Sequence, residues 1–178
     1  LLIVQSAIAQ NTLFNQVEAK NIGPTIMSGR VVDLAVNPKN PTEFYVAYAT
    51  GGLWYTNNNG TSFSPVMDEA ETVNCGSVTV DWNSGTIWVG TGEVNASRSS
   101  YAGVGVLKSS DKGKTWENLG LKDSHHISRI WVNPSNLNEI VVAAVGHLYT
   151  TNKERGIYKS TDGGKSWKQT LFVAEDTG

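Results

Sequence analysis

The chain has 178 residues, of which 39% are hydrophobic and 17% charged, the balance of a globular protein rather than a disordered one. A formal net charge of −2 leaves no basic footprint for nucleic acid or an anionic membrane. The lone Cys75 excludes an internal disulfide and a thiol-paired metal site, while neither requiring nor excluding an oxidising compartment.

In chain order, residues 1–9 read LLIVQSAIA, the form of the end of a signal peptide's apolar region. Ala7-Ile8-Ala9 supplies the small-x-small pattern that precedes cleavage. The run is too short to span a membrane, and its alternative reading is an apolar first strand. Export to the periplasm, cell surface or extracellular space is the expectation. Residues 10–29 form an irregular lead-in with a turn at Gly23-Pro24.

A first unit, residues 30–73, follows. Residues 31–36 (VVDLAV) are β-branched enough to make a strand, Asn37-Pro38 breaks it, and residues 44–47 and 53–56 supply two more strands. A fourth is expected near residues 62–67. The second unit, residues 74–124, offers strands at 77–80, 87–90, 106–109 and 116–119. The third, residues 125–178, offers them at 128–132, 140–143, 157–160 and 167–172. No helical periodicity competes with this reading.

Each unit carries one short box between its third and fourth strands. Residues 109–116 (SSDKGKTW) and 160–167 (STDGGKSW) share the pattern Ser, any, Asp, any, Gly, any, Ser or Thr, Trp. Residues 56–63 (TNNNGTSF) are a decayed copy with Asn for Asp and Phe for Trp. The copies recur about every 50 residues, the signature of propeller blades or another array. Gly60, Gly113 and Gly164 can take the positive φ of a tight turn. Asn58, Asp111 and Asp162 can fold back onto backbone N–H groups of that turn. Phe63, Trp116 and Trp167 then bury a ring between units. The same carboxylates could instead be catalytic acids, but one role repeated in equivalent places suits a structural fastener, since an active site is normally built once.

Four strands per unit make an all-β chain of four-stranded antiparallel blades, about three of them, expected to be the N-terminal part of a larger β-propeller. Three blades do not close a ring, so further blades of the same protein, or a partner covering open edges, are expected.

Long insertions at residues 93–103 and 146–155 fall between the second and third strands of units two and three, where unit one has only Ala49-Thr50-Gly51. Blades related by rotation put such insertions on one face, where repeat proteins bind. Aligning the first strands groups Arg30, Asn74 and His126 in one column and Asp33, Ser77 and Arg129 in another, on the strands that line a channel. Arg30, Glu93, Arg98, His126, Arg129, His147 and Arg155 are therefore the candidate binding residues. Arg30 and Arg129 would suit an anionic or polar ligand, or would tie blades together through carbonyls and carboxylates. Glu93 with Asp33 is the carboxylate pairing that could be nominated for glycoside hydrolysis, with no spacing rule behind it. His125 and His126, read as adjacent strand residues facing opposite ways, cannot chelate one ion. No metal site, nucleophile set, phosphate loop or dinucleotide fingerprint is present, and no cofactor is expected.

The boxes resemble the Asp-box, or BNR, repeat of sialidases, xyloglucanase-type glycosidases and sortilin-like Vps10 propellers. From Asn21 onward the chain is similar to large exported bacterial BNR-repeat proteins with a sortilin N-terminal-like region, through Ile22-Gly23-Pro24, Met27-Ser28-Gly29-Arg30-Val31-Val32-Asp33, Gly90-Thr91-Gly92-Glu93, His126-Ile127-Ser128-Arg129, Gly146-His147-Leu148 and Glu154-Arg155-Gly156. The resemblance implies propellers of seven to ten blades that often bear a glycosyl-hydrolase label. A sialidase's arginine triad and Tyr–Glu pair cannot be assembled here, and the Arg-Ile-Pro signature is missing. The expected function is a non-catalytic recognition scaffold that binds protein, peptide or glycan through its loop face. The alternative is a glycoside hydrolase acting on polysaccharide, with catalytic carboxylates partly outside this chain.

Overall fold

The computed structural model describes residues 29–95 and 100–177. The expected leader remnant (1–9), the lead-in apart from Gly29, and Arg98 lie outside the described residues. Among the described residues, β1 (Val31–Val36), β2 (Phe44–Tyr48), β3 (Gly52–Thr56) and β4 (Ser64–Pro65) form one antiparallel sheet in that order. β5 (Cys75–Asp81), β6 (Thr86–Thr91), β7 (Val106–Ser109) and β8 (Glu117–Asn118) form a second. β9 (Ile127–Val132), β10 (Ile140–Ala144), β11 (Gly156–Ser160) and β12 (Lys168–Leu171) form a third. One 3-10 turn, Lys122–Ser124, joins the last two sheets. β5 lies against both β1 and β9. These are three blades of a β-propeller, with their first strands side by side.

Burial along each strand reports which blade faces are covered. β6 is buried at all six positions. Its Ile87 and Val89 pack into a cluster with Tyr45, Ala47 and Leu53 of blade one. Its Trp88 joins Ile130, Val132, Ile140 and Val142 of blade three. Having neighbours on both faces explains why β6 has no polar alternation. β10 does alternate, burying Ile140, Val142 and Ala144 while Val141 and Ala143 stay half-buried. The faces turned away from blade two carry exposed apolar groups, Val31, Leu34 and Val36 on β1 and Trp131 on β9.

The boxes fold as local hydrogen-bond knots. Asp111 Oδ1 accepts from Thr115 N at 2.9 Å and Ser109 Oγ at 2.8 Å, while Oδ2 accepts from Thr115 Oγ1 at 2.6 Å. Asp162 repeats the set with Ser166 N at 3.0 Å, Ser160 Oγ at 2.8 Å and Ser166 Oγ at 2.6 Å. In blade one Asn58 Oδ1 accepts from Ser62 N at 3.0 Å and Thr56 Oγ1 at 2.9 Å. Three donors on an exposed carboxylate hold Asp111 and Asp162 at about 2, because each bond favours the charged form. The box glycine is needed twice over. Gly164 has φ +94°, and a Cβ there would come within 2.6 Å of Leu119 Cδ1 of the preceding blade.

The tryptophans complete the link to the preceding blade. Trp116 Nε1 donates to Val66 O at 3.1 Å, and Trp167 Nε1 to Leu119 O at 2.7 Å. The fourth strands are shorter than the sequence suggests, two residues in β4 and in β8. Each is an edge strand with one neighbour, so fewer ladder bonds hold it in register. The strands also begin one residue after each tryptophan, whose ring is turned in toward the neighbouring blade.

Candidate functional site

The three first strands share an irregularity that the residue pattern does not announce. Pairing slips by one residue at Val32, Gly76 and Ser128, so each blade has a β-bulge at the same level. Each bulge immediately precedes one of Asp33, Ser77 and Arg129. An extra residue re-aims the side chains beside it, and here it sets the direction of the channel-lining column. Asp33 Oδ2 accepts from Val78 N of blade two at 3.0 Å and lies 3.2 Å from Arg129 Nη1 of blade three. One carboxylate therefore joins three blades. Ser77 is buried, and its Oγ has no partner among the described residues.

Before each bulge the chain enters the blade at the end where the connections between second and third strands emerge. Arg30 lies there in blade one. Its Nε donates to Glu93 Oε1 at 2.7 Å, and its Nη2 closes on Oε2 of the same carboxylate. Glu93 is fully buried whereas the Arg30 side chain is 49% exposed. The pair bridges blade one to the loop of blade two. Gly92, at φ +85°, turns that loop under the next connection, where a Cβ would collide with the His125 carbonyl. Gly103 N donates to the same carbonyl at 2.6 Å, and Asn74 Nδ2 to Ala102 O at 3.1 Å.

The histidines gather at the junction between blades two and three. His125 has φ 57°, and the positive-φ turn it makes precedes β9. The turn, rather than strand alternation, sets its ring 6.3 Å from that of His126 at 72°. The His125 ring stacks on His147 at 3.7 Å and 21°. His147 is fixed by Thr150 Oγ1 at 3.0 Å and the Asp123 carbonyl at 3.1 Å. His126 is buried beside the Glu93 backbone, to which it hydrogen-bonds, and its Nδ1 has no partner among the described residues. Burial lowers the pKa of both His125 and His126, with His147 adding to the effect on His125.

The second insertion is folded around Arg155. Its Nη1 donates to Val145 O at 2.7 Å, and its Nη2 to Thr150 O at 2.9 Å and to His147 O. Arg155 is 6% exposed, so the sequence's candidate for a ligand-facing arginine is committed to its own loop. Asn152, buried beside it, accepts from His147 N at 3.0 Å.

Arg30, Glu93, His126 and His147 thus come together at one mouth, with Asp33 and Arg129 on the channel wall below. What these loops offer to solvent is different: Tyr101 at 55% and Tyr149 at 75% exposure, with the Arg129 side chain 72% exposed. Sequence reasoning missed both tyrosines, although their place on the insertions was a usable signal. Among the described residues no cluster of His, Cys, Asp or Glu could hold a metal ion. No helix among them is long and apolar enough to cross a membrane.

No protein-family model matches the chain. A stretch of 75 residues, 42% of this chain and 4% of the relative, is 37% identical to vacuolar protein sorting/targeting protein 10 of Kluyveromyces lactis. An ancestral GH74 enzyme superposes with a TM-score of 0.65 at 21% identity, over 90% of this chain and 21% of its own. A structure of YCF48 bound to D1 peptide gives 0.57 at 15% identity, over 90% and 48%. YCF48 from Cyanidioschyzon merolae gives 0.53 at 18%, over 85% and 40%. The chain therefore spans less than half the length of each of these proteins, and what these likenesses establish is the β-propeller fold.

Proposed function

We propose that the chain is part of a non-catalytic recognition scaffold of an exported protein, which binds a protein or peptide segment at the mouth formed by the insertions. The observation that carries this reading is the fate of the two carboxylates best placed for chemistry. Glu93 is buried under Arg30, and Asp33 is shared between Val78 N and Arg129. Glycoside hydrolysis needs two carboxyl groups that face the scissile bond, and neither of these does. The rim instead presents Tyr101 and Tyr149, with the exposed Arg129 on the channel wall below, and tyrosine and arginine are residue types that dominate binding energy at protein interfaces. The two tyrosines stand on loops clamped by Glu93 and Arg155, so little conformational freedom is lost on binding. YCF48 bound to D1 peptide offers a peptide-binding precedent on the same fold. The Ala7-Ile8-Ala9 pattern supports export.

The test is selection of peptides from a display library on the full chain, followed by binding to Tyr101→Ala, Tyr149→Ala and Arg129→Ala variants. Selected peptides should lose affinity to the variants while melting temperatures hold. Peptides that bind all three variants as well as the parent would place recognition elsewhere. Release of reducing sugar from polysaccharide, abolished by Glu93→Gln, would make the chain a hydrolase instead.

A further inference from the structure

The ends of the blades opposite the mouth hold a second site, between blades one and two. There a cavity of about 320 Å³ is lined by Asn37, Glu43, Tyr45, Trp82, Asn83 and Lys112, among others. Its volume falls at the small end of ligand pockets. Three turns build it: the one after β1, the one joining β5 to β6, and the box turn of blade two.

Each wall is fixed. Glu43 Oε1 accepts from Tyr55 Oη at 2.6 Å and Oε2 from Asn37 Nδ2 at 2.6 Å, so the carboxylate cannot swing away. These two bonds, the Tyr55 one first, hold its pKa below the usual glutamate range. Tyr45 stands between two other rings, Tyr55 at 4.9 Å and Trp82 at 5.5 Å, which leaves the half-buried Trp82 as the last ring of the ladder. Lys112 has φ 64° within the box turn. Its stem crosses Gly85, where a Cβ would come within 3.1 Å of Cε. Among the described residues its Nζ has no hydrogen-bond partner. Lys39 Nζ donates to Asn83 Oδ1 at 2.9 Å, which orients the Asn83 amide N–H groups with no acceptor among the described residues.

The chemistry selects the ligand class. Glu43 and Lys112 face the same space, and at its rim the Lys39 ammonium on Asn83 is offset by Asp81, so positive and negative charges balance and the cavity has no net charge with which to recruit an ion. The Glu43 oxygens already accept strong bonds and can take single further hydrogen bonds rather than seat an ammonium. The Asn83 amide and Lys112 offer donors, and Trp82 offers an aromatic surface. A ligand that matches carries donors and acceptors around its rim, an apolar C–H face, and no charge. We propose that this cavity binds one pyranose unit of a neutral saccharide, with its C–H face on Trp82 and its hydroxyls between Glu43, Asn83 and Lys112.

The experiment is saturation-transfer NMR on the full chain with methyl glycosides of glucose, galactose, mannose and xylose, and with glycine and diglycine as zwitterionic controls. At least one glycoside should bind. Lys112→Ala and Asn83→Ala, both exposed and outside the packed core, should each weaken it several-fold. Trp82→Ala should weaken it by about tenfold, the equivalent of roughly 1.4 kcal/mol. Tyr149→Ala, at the other end of the blades, should change nothing, which separates this site from the mouth. The proposal is overturned if no glycoside gives a signal, if only the zwitterions do, or if a bound glycoside is indifferent to Lys112→Ala and Asn83→Ala.

Discussion

Arg30, at the start of the first blade, closes a bidentate pair on the fully buried Glu93 of the second. A carboxylate taken out of water is costly unless it is paired and hydrogen-bonded, so the pair fixes how the insertion of blade two sits on blade one. Arg30→Ala leaves Glu93 buried without its partner. Breaking a fully buried pair costs about 3–5 kcal/mol; here the half-exposed arginine lets water reach the site, and we expect about 2 kcal/mol. Arg30→Ala combined with Glu93→Gln should recover part of that loss in urea unfolding. Full additivity of the two substitutions would show that the side chains do not couple.

The boxes predict an acid limit to stability. Asp111 and Asp162 have folded pKa values of about 2, below the ordinary 3.8. A depressed carboxylate contributes stability that is complete above the unfolded value and lost as pH falls through the folded one. The melting temperature should therefore decline between about pH 4 and pH 2. Asp111→Asn with Asp162→Asn should lower it at neutral pH and flatten that decline. Trp167→Ala should cost about 3 kcal/mol through the cavity left against blade two. An unchanged acid profile in the Asn variant would assign the decline to other carboxylates.

The boxes were legible in the sequence because their bonds are local. Asp162, Ser160 and Ser166 lie within seven residues, so spacing alone places donors around the carboxylate. Blade count and the strand pairs followed from the same repetition. The direction of side chains at the mouth did not. Arg155 and Tyr149 occupy one insertion, and no periodicity says that the arginine turns in to three carbonyls while the tyrosine turns out. Arg30 and Glu93 are 63 residues apart, and their pairing depends on how blades stack. The bulges at Val32, Gly76 and Ser128 are likewise invisible as composition, since three different residues fill the same slot.

Cys75 offers a probe of the contact between blades one and two. Its side chain is fully buried, with Sγ 3.6 Å from Met67 Sδ, and burial pushes the thiol up to about 12. The thiolate is the reactive form. Folded protein at mildly alkaline pH should thus resist a thiol reagent, and labelling should appear along the same urea curve as loss of tryptophan fluorescence. Labelling well before that transition would mean that blade one separates from blade two below global unfolding.

The histidine junction predicts a second pH dependence, at milder acidity. His125 and His126 have folded pKa values below the ordinary 6.5, chiefly through burial, with Asp123 opposing the shift for His125 and Glu93 for His126. A histidine with a depressed folded pKa binds protons more readily in the unfolded chain. Stability is therefore complete above about pH 6.5 and falls as pH drops through that value toward the folded pKa. Protonating His125 also sets a charge against the His147 ring stacked at 3.7 Å. Urea unfolding should show a lower midpoint at pH 5.5 than at pH 7.5, ahead of the decline caused by the boxes. His125→Phe keeps the stacked ring without the charge and should shrink the difference, as should His126→Gln, which removes the buried imidazole beside it. Because the junction carries both insertions, the peptide binding proposed for the mouth should weaken over the same interval. If His125→Phe and His126→Gln each leave the pH difference at its full size, the acid sensitivity belongs to other groups and the stacked pair is only a packing contact.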